Sequence, residues 1–390
     1  MRVRIQKRGM VPALILAVAG TVLLFVASTI GLAAWHVSQA APQPGPGSLP
    51  SVVENAPSSV PTTDEYGPVG GVSLVFAGTE VHDGLTGRLE HPWIAVASHT
   101  GEYRAIDAPD LPSPGAAVMA ASPDGNLLAW PTGDGLVVYD AVTGEARELA
   151  VDGVDHVGAF SPDSRLLLAH GEQLVVVDLG TGEVVAAADA DDTVLGRVAW
   201  RADSSAVDFV VGDELTTLSV PDGDVTTHPT EIPERASLAW SPNGQQLISL
   251  RQVGGAKRLF LSELANEGSL GEGEQVPTQG ISLERLLGFS GERTVAVVAY
   301  MLESGSVERI LDIRLDGRSP AGLTTLPPPG ENWVDSRTLA VATDNLFAGS
   351  TDFGGQVWPW SHTARLVACS LFMFFLLGLY VTRRPRTARR

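Results

Sequence analysis

Short apolar segments alternate with turn-forming residues through the middle of the chain. The segment AASPDGNLLAW at 120–130 returns as AFSPDSRLLLA at 159–169, AWRADSSAVDF at 199–209 and AWSPNGQQLIS at 239–249. Each copy holds the end of one apolar strand, a tight turn and the start of a second apolar strand. Pro, Asp, Asn, Gly and Ser favour the turn because they fix φ, bond nearby backbone or tolerate positive φ. A period near 40 residues of this kind predicts a β-propeller.

The second strand of each unit predicts the number of blades. Four strands per unit, with apolar inner strands and a polar outer strand, fit propeller blades. We therefore predict an all-β propeller with seven four-stranded blades, and six blades is the alternative. We also expect the strand VSLVF at 72–76 to complete the last unit, which runs out of strands after NLFAGS at 345–350, because a closed ring exposes fewer edges. The apolar runs taken as second strands begin at Trp93, Leu127, Leu166, Val207, Leu247, Val295 and Leu339.

Two apolar runs at the ends of the sequence predict transmembrane helices. Residues 11–35 are long enough to span a bilayer, and residues 366–382 are near the lower limit of length. Basic residues flank both runs on their outer sides, which predicts cytoplasmic termini and an extracytoplasmic domain at the plasma membrane. For the first run, cleavage as a signal peptide after Ala40 is the alternative to an uncleaved anchor.

These features divide the chain into seven segments. The segment before the propeller is rich in proline and is predicted to be an extended tether. The predicted segments are a basic cytoplasmic segment at 1–10, a transmembrane helix or signal anchor at 11–35, an extracytoplasmic linker at 36–71, the propeller at 72–355, a juxtamembrane segment at 356–365, a transmembrane helix at 366–382 and a basic cytoplasmic tail at 383–390.

Charge and cysteine content restrict the functional classes. All 45 acidic residues lie between Glu54 and Asp352, so the predicted propeller is strongly acidic. Nucleic-acid binding needs the opposite charge and is therefore not expected. The single cysteine, Cys369, lies in the second apolar run and leaves no intramolecular disulfide. An exported domain without disulfides or Asn-linked glycosylation sites is more typical of a bacterial protein than of a secreted eukaryotic one.

The repeated turn resembles the WD40-like or TolB-like β-propeller repeat. The motif appears as Phe160 to Ser164 and as Trp240 to Gly244, with Ala121 to Gly125 close to it and a degenerate copy at Trp200 to Ser204. The resemblance covers about residues 72–355 and implies a propeller fold. It does not imply one activity, because propellers serve as scaffolds, sensors and enzymes.

The common catalytic signatures are absent from the sequence. There is no Gly-x-Ser-x-Gly elbow, no His-Glu-x-x-His metal motif, no phosphate-binding loop and no dinucleotide fingerprint. We assign no catalytic residue, no cofactor and no metal ligand, and we favour a non-catalytic protein.

Acidic and histidine residues in the predicted loops form the candidate site. The loops that join second to third strands, and blade to blade, are expected at one mouth of the central channel. A negative mouth would favour a divalent cation, another small ligand or a basic partner segment. A solvated rim that only aids solubility is the alternative. The candidate residues are His99, Glu102, Asp134, His156, His170, Glu172, Asp191 and Asp213.

The sequence therefore predicts a membrane-anchored extracytoplasmic propeller that acts as a scaffold or sensor in the cell envelope. Its expected partner is another envelope or membrane protein. The alternatives are an exported hydrolase or lyase that uses the propeller channel, and an accessory subunit of a transporter or secretion system. A rigid scaffold that displays variable loops is the common element of these hypotheses.

Overall fold

The computed structural model describes the central part of the chain. Residues 42–83 and 88–358 form one compact unit, and a second unit of residues 1–41, 84–87 and 359–390 lies almost entirely outside the described residues. The described residues are 43–53, 60–78, 81–83, 87–89, 92–113, 118–190, 195–264, 270–278, 280–301, 308–326 and 338–354.

The elements are mostly short antiparallel strands. The first part of the chain contains β1 (Leu49–Pro50), α1 (Thr63–Tyr66), β2 (Val72–Ala77), the paired strands β3 (Val81–Asp83) and β4 (Gly87–Leu89), β5 (Trp93–Ala97) and β6 (Tyr103–Ala105). Five consecutive four-stranded sheets follow, which we number as blades 1 to 5.

Each of these five blades is built from strands that follow one another along the chain. Blade 1 contains β7 (Ala120–Ala121), β8 (Leu127–Thr132), β9 (Gly135–Asp140) and β10 (Ala146–Leu149). Blade 2 contains β11 (His156–Phe160), β12 (Leu166–His170), β13 (Leu174–Asp178) and β14 (Val184–Ala188). Blade 3 contains β15 (Ala199–Trp200), β16 (Ala206–Val211), β17 (Glu214–Ser219) and β18 (Val225–Pro229).

Blade 4 contains β19 (Ser237–Trp240), β20 (Gln246–Val253), β21 (Ala256–Glu263) and β22 (Glu274–Gln275). Blade 5 contains β23 (Ile281–Gly291), β24 (Thr294–Met301), β25 (Glu308–Arg314) and β26 (Ala321–Thr325).

Blade 6 is assembled from both ends of the described chain. The last elements are β27 (Ala340–Val341), α2 (Asp344–Ala348) and β28 (Ser350–Thr351). Strand β27 pairs antiparallel with β2, and β5 and β6 complete this sheet. The strand at 72–76 therefore completes the last unit, and the prediction that it closes the ring is confirmed.

The ring has six blades, so the prediction of seven was wrong. The runs that begin at Trp93 and Leu339, predicted as two separate units, belong to the same blade 6. Trp93 opens the third strand of that blade, and the second strand is β2. A pattern counted along the sequence cannot reveal that its first and last units share one sheet.

Six apolar clusters occupy the interfaces between neighbouring blades. One joins blades 1 and 2, and the others join blades 2 and 3, 3 and 4, 4 and 5, 5 and 6, and 6 and 1. Each blade can contact two neighbours because successive side chains along a strand point to opposite faces of the sheet. In β12, for example, Leu167 packs toward blade 1 and Leu168 packs toward blade 3.

The repeated turn has the same hydrogen bonds in three blades. In blade 1, the Ser122 hydroxyl donates to Asp124 Oδ1 at 2.6 Å and accepts from the Leu127 N–H at 2.9 Å. Ser161 and Asp163 in blade 2, and Ser241 and Asn243 in blade 4, repeat this arrangement. The motif is therefore turn chemistry, which fixes the entry into each second strand.

The N-terminal part of the predicted linker is built into the propeller. Strand β1 pairs in parallel with β28, and Val52 forms a parallel bridge with Thr325 of blade 5. Leu49 is fully buried in the cluster between blades 5 and 6. We call residues 43–53 the strap. Residues 60–71 also pack on the propeller, so within the described residues the segment expected as a tether is part of the fold.

No helix among the described residues is long and apolar enough to cross a membrane. The two predicted spans, residues 11–35 and 366–382, lie outside the described residues, as do their basic flanks and the juxtamembrane segment 356–365.

Candidate functional site

The blades expose two faces with different connections. In a four-stranded antiparallel sheet, the first-to-second and third-to-fourth connections lie at one end, and the second-to-third connections lie at the other. We call the first end the turn face, because it carries the repeated Ser-Pro-Asp-Gly turns. We call the second end the loop face, where the blade-to-blade connections also lie.

Three of the predicted acidic residues lie on the loop face. Asp134, Glu172 and Asp213 occupy the second-to-third connections of blades 1, 2 and 3, and all three are exposed. They lie in separate blades, and no hydrogen bond links them to one another within the described residues. The loop face is therefore acidic at this side, and the convergence of these carboxylates on one mouth of the channel stays a prediction.

Two predicted histidines are neighbours in blade 2. His156 and His170 are paired across β11 and β12. The Asp155 carboxylate lies 2.7 Å from His156 Nδ1, and both side chains are exposed. His170 is buried, and its Nε2 donates to the Ala190 carbonyl oxygen at 2.8 Å. Among the described residues, no group of three or more His, Cys, Asp and Glu side chains is placed to hold a metal ion.

His99 and Glu102 lie on a different face from the candidate residues of blades 1 to 3. His99 and Glu102 lie between β5 and β6, which are the third and fourth strands of blade 6, so they are on the turn face. The Ala97 N–H donates to the Glu102 carbonyl oxygen at 2.8 Å, as the Asp140 N–H does to that of Glu145 in blade 1. The expected placement at the same mouth was wrong for this pair, because Trp93 begins the third strand of blade 6 and not the second. Asp191 lies outside the described residues.

A cavity of about 420 Å³ opens on the turn face between blades 3 and 4. It is formed where two first-to-second turns meet, and Leu264, which directly follows β21, also lines it. The cavity is lined by Arg201, Ala202, Asp203, Trp240, Pro242, Asn243, Gly244 and Leu264.

A buried carboxylate lies behind this cavity. Asp208 is fully buried in β16, whose neighbouring residues Val207 and Phe209 pack toward blade 2. Because strand residues alternate, the Asp208 side chain points to the opposite side, toward blade 4. There it accepts hydrogen bonds from Trp240 Nε1 at 2.7 Å and from the Thr217 hydroxyl.

Arg201 completes this group from the rim of the cavity. Its Nε lies 2.9 Å from Asp208 Oδ2, and its Nη2 lies 3.3 Å from Asp208 Oδ1. The hydrogen bond to Asp208 raises the pKa of Arg201, so the guanidinium is firmly charged. The guanidinium carbon also lies 5.8 Å from the centre of the Trp240 ring. The Arg201 side chain keeps 39% of its surface exposed, so its outer edge faces solvent in the cavity.

The arrangement is suited to recognition. Arg201 has several N–H donors and is held by Asp208, and the Trp240 indole adds a flat apolar surface. A side chain fixed in this way loses little conformational entropy when it binds a ligand. An arginine does not exchange its proton near neutral pH, so it is not a general acid or base.

The sequence contains a signal for this group that is not a catalytic motif. Arg201 stands where the other turns have Ser122, Ser161 and Ser241. Asp208 is a charged residue inside the apolar strand VDFVV. A repeat that departs from its own pattern at two nearby positions indicates a local function or a local constraint, but only the structure shows that the two departures pair.

Comparisons with known proteins find similar solved structures but no family. No family model matches the chain, and no curated protein matches its sequence. Among solved structures, the chain is similar to the protein from Agrobacterium tumefaciens described as TolB, with 13% identity, 66% of this chain and 91% of that chain covered, and a TM-score of 0.44.

Two further solved structures are similar at the same level. The Swd1 β-propeller domain of Myceliophteria thermophila has 12% identity, covers 65% of this chain and 88% of its own, and has a TM-score of 0.44. TolB from Acinetobacter baumannii has 15% identity, covers 73% of this chain and 84% of its own, and has a TM-score of 0.38. These identities and TM-scores are too low to assign a family, a partner or an activity. The propeller fold that the TolB-like and WD40-like resemblance implies is shown by the six four-stranded sheets of the chain itself.

Proposed function

We propose that the chain is a membrane-anchored, extracytoplasmic scaffold that binds a partner protein of the cell envelope at the turn-face cavity. The observation that carries this proposal is the Arg201–Asp208–Trp240 group, in which a buried carboxylate holds a cation and an indole at the rim of an open cavity. Proteins use rigid aromatic and arginine side chains of this kind as anchors of interfaces.

The closed ring supports the same proposal. Six blade interfaces and the strap fix the positions of the turns, so a partner can bind a preformed surface without ordering it first. The strap contacts blades 5 and 6 and also blade 1, where the Gly45 N–H donates to Asn126 Oδ1. The cavity lies between blades 3 and 4.

The membrane location rests on the sequence. The apolar runs at 11–35 and 366–382, with basic residues on their outer sides, favour two spans with both termini in the cytoplasm. The propeller between them would then lie outside the plasma membrane. A test replaces Cys369 with Ser and the exposed Thr226 with Cys. We expect a membrane-impermeant maleimide to label intact cells, and labelling only after lysis would contradict this location.

The binding proposal is tested by crosslinking in living cells, followed by recovery through a C-terminal tag. Ala202→Trp fills the cavity from an exposed turn position, and Pro162→Trp places the same side chain at the equivalent position of blade 2. We expect one dominant envelope protein to be recovered with the wild type and with Pro162→Trp, and to be lost with Ala202→Trp. Equal recovery by both variants would contradict binding at the cavity, and no recovery by the wild type would contradict the scaffold function.

A further inference from the structure

The outer strands of the blades differ in how their free edges are covered. The edge of β6 is occupied by the chain itself, because the Ala105 N–H donates to the Pro61 carbonyl oxygen at 2.9 Å. The edge of β26 is also occupied, because the Thr325 N–H donates to the Ser51 carbonyl oxygen at 3.0 Å. In both places an extended, proline-containing segment runs parallel to the outer strand. This fold therefore accepts extended segments at the outer edges of its blades.

Other outer strands carry the usual protection of an edge. Strand β10 has the charged pair Arg147 and Glu148, and β22 is only two residues long and begins with Glu274. Strand β14 has no charged residue, but a register shift between Val176 and Val177 interrupts its ladder with β13, and irregular pairing of this kind also protects an edge. Charged side chains and short length discourage pairing with another strand, since a long uncharged edge is a template for it.

Strand β18 lacks this protection. Its five residues, Val225–Pro229, are all exposed, and none of them is an acid, a lysine or an arginine. Pro229 ends the strand and limits pairing at that side only. Valine and threonine are strong strand formers, so the segment is fully extended and ready to pair.

The register of β18 identifies the backbone groups that point outward. The Ser219 N–H donates to the Asp224 carbonyl oxygen at 2.9 Å, and the Thr230 N–H donates to that of Asp213 at 2.9 Å. The pairing between these two points is regular. Because hydrogen-bonded pairs alternate in an antiparallel ladder, Val225 and Thr227 direct both N–H and C=O away from β17.

The charges around β18 favour a basic ligand. Asp222 and Asp224 precede the strand and Glu231 follows it, and all three side chains are exposed. A segment that lies along β18 therefore meets negative charge at both ends. Complementary charge steers such a segment to the edge and disfavours acidic ones.

We propose that the outer edge of β18 binds an extended segment of a partner protein by strand addition, with basic residues flanking the paired part. The backbone of Val225 and Thr227 supplies the hydrogen bonds, and the three acidic residues select the flanks. This inference rests on the proposed scaffold function and adds a second contact surface in blade 3, separate from the cavity.

The test uses the purified full-length chain and a fluorescent peptide of alternating Val and Thr with Lys at both ends. Binding is measured by fluorescence anisotropy. Thr227→Pro removes the outward N–H without touching the bonds to β17, and Thr227→Ala is the matched control that keeps the N–H. We expect Thr227→Pro to weaken binding about tenfold or more and Thr227→Ala to leave it within about twofold, since only the first removes a backbone hydrogen bond.

Two methylated peptides test the geometry independently of the variants. N-methyl groups are placed on one alternate set of residues in the first peptide and on the other set in the second. Only one set can face β18, so we expect one peptide to bind and the other to fail. Thr227→Lys, which places a charge on the edge, provides a second blocking variant if Thr227→Pro does not fold.

Each contrary outcome is distinct. Failure of the unmodified peptide to bind, equal loss with both methylated peptides, or equal binding by Thr227→Pro and Thr227→Ala would overturn strand addition. Self-association of the chain that Thr227→Pro abolishes would overturn the partner segment and assign the edge to a second copy. Ala202→Trp should leave peptide binding unchanged, so failure at β18 is separable from failure at the cavity.

Discussion

Asp208 shows how one residue can depart from the pattern of its strand and still be stable. A carboxylate buried without compensation costs several kcal/mol. Here Trp240, Thr217 and Arg201 all donate to it. The cost of the burial is therefore offset by three neighbours that lie in two blades, and the group links blade 3 to blade 4.

Removal of the cation from this group should be strongly destabilising. Arg201→Ser restores the residue of the other turns but leaves Asp208 buried without its charged partner. We expect a loss of about 3 kcal/mol in the free energy of unfolding, measured with urea. Arg201→Ser combined with Asp208→Asn should recover part of this loss, because no buried charge remains. Equal stability of the single and double variants would contradict the charge pair as the cause.

Asp344 predicts a dependence of stability on pH. Burial raises the pKa of Asp344, and the nearby charge of Asp124 raises it further. A carboxyl whose folded pKa is raised contributes most below its unfolded pKa of about 3.9, and the contribution is lost as the pH rises through the folded pKa. We expect Asp344→Asn to raise the melting temperature at pH 7 and to have little effect near pH 3.5. Asp134→Asn, at an exposed position, is the control, and an equal gain in both variants at pH 7 would contradict the assignment.

At the scale of elements, the strap explains how a blade made from two distant parts of the chain is held. Strand β27 contributes only two residues to blade 6. The parallel pair β1–β28 and the bond from the Leu49 N–H to the Gly349 carbonyl oxygen add a second connection between the two ends. Asn345 of α2 adds a third, since its Nδ2 donates to Val72 O and its Oδ1 accepts from the Gly47 N–H.

The strap should therefore contribute measurably to stability. Leu49 is fully buried, whereas Val52 in the same strap is 53% exposed. We expect Leu49→Ala to lower the free energy of unfolding by about 2–4 kcal/mol, because it removes buried carbon and leaves a cavity. Val52→Ala should change it by less than about 0.5 kcal/mol. Similar urea midpoints for the two variants would show that the strap packs loosely on the ring.

At the scale of the molecule, closure makes the six blades one cooperative structure. Every blade has two neighbours, and a separate apolar cluster fills each interface. An open array would leave two faces of apolar side chains exposed to water. The stability of the whole therefore depends on the contacts between the two ends of the described chain.

A disulfide across these ends tests the closure. The Ser48 and Thr351 hydroxyl oxygens lie 2.8 Å apart, and the two residues are 303 positions apart in the sequence. We expect the two cysteines of the Ser48→Cys, Thr351→Cys variant to form a disulfide in the folded protein. The disulfide should raise the urea midpoint, with a gain of up to about 5 kcal/mol in the free energy of unfolding. Ser48→Cys alone is the control. Failure to oxidise without denaturant, or an unchanged midpoint in the oxidised form, would contradict the closed ring.

The sequence by itself determined the class of the fold and the composition of each blade. Alternating apolar positions and the turn chemistry of Ser122–Gly125 and its copies are local, so a single stretch of about 40 residues contains the information for one blade. The acidic character of the loops at Asp134, Glu172 and Asp213 was likewise predictable from composition. The basic flanks and apolar runs at both ends remain predictions of the membrane location.

Only the tertiary structure decided the number of blades, the course of residues 43–53 and the position of the candidate site. Trp93 and Ala340 share one sheet although 247 positions separate them in the sequence. That pairing makes β5 and β6 the third and fourth strands of blade 6. It therefore places His99 and Glu102 on the turn face, whereas Asp134 lies on the loop face. The partnership of Arg201 with Asp208 and Trp240 depends on the packing of blade 3 against blade 4. These contacts join segments that are far apart in the sequence. Burial of apolar surface depends on which surfaces fit together in three dimensions, and a local sequence pattern does not contain that information.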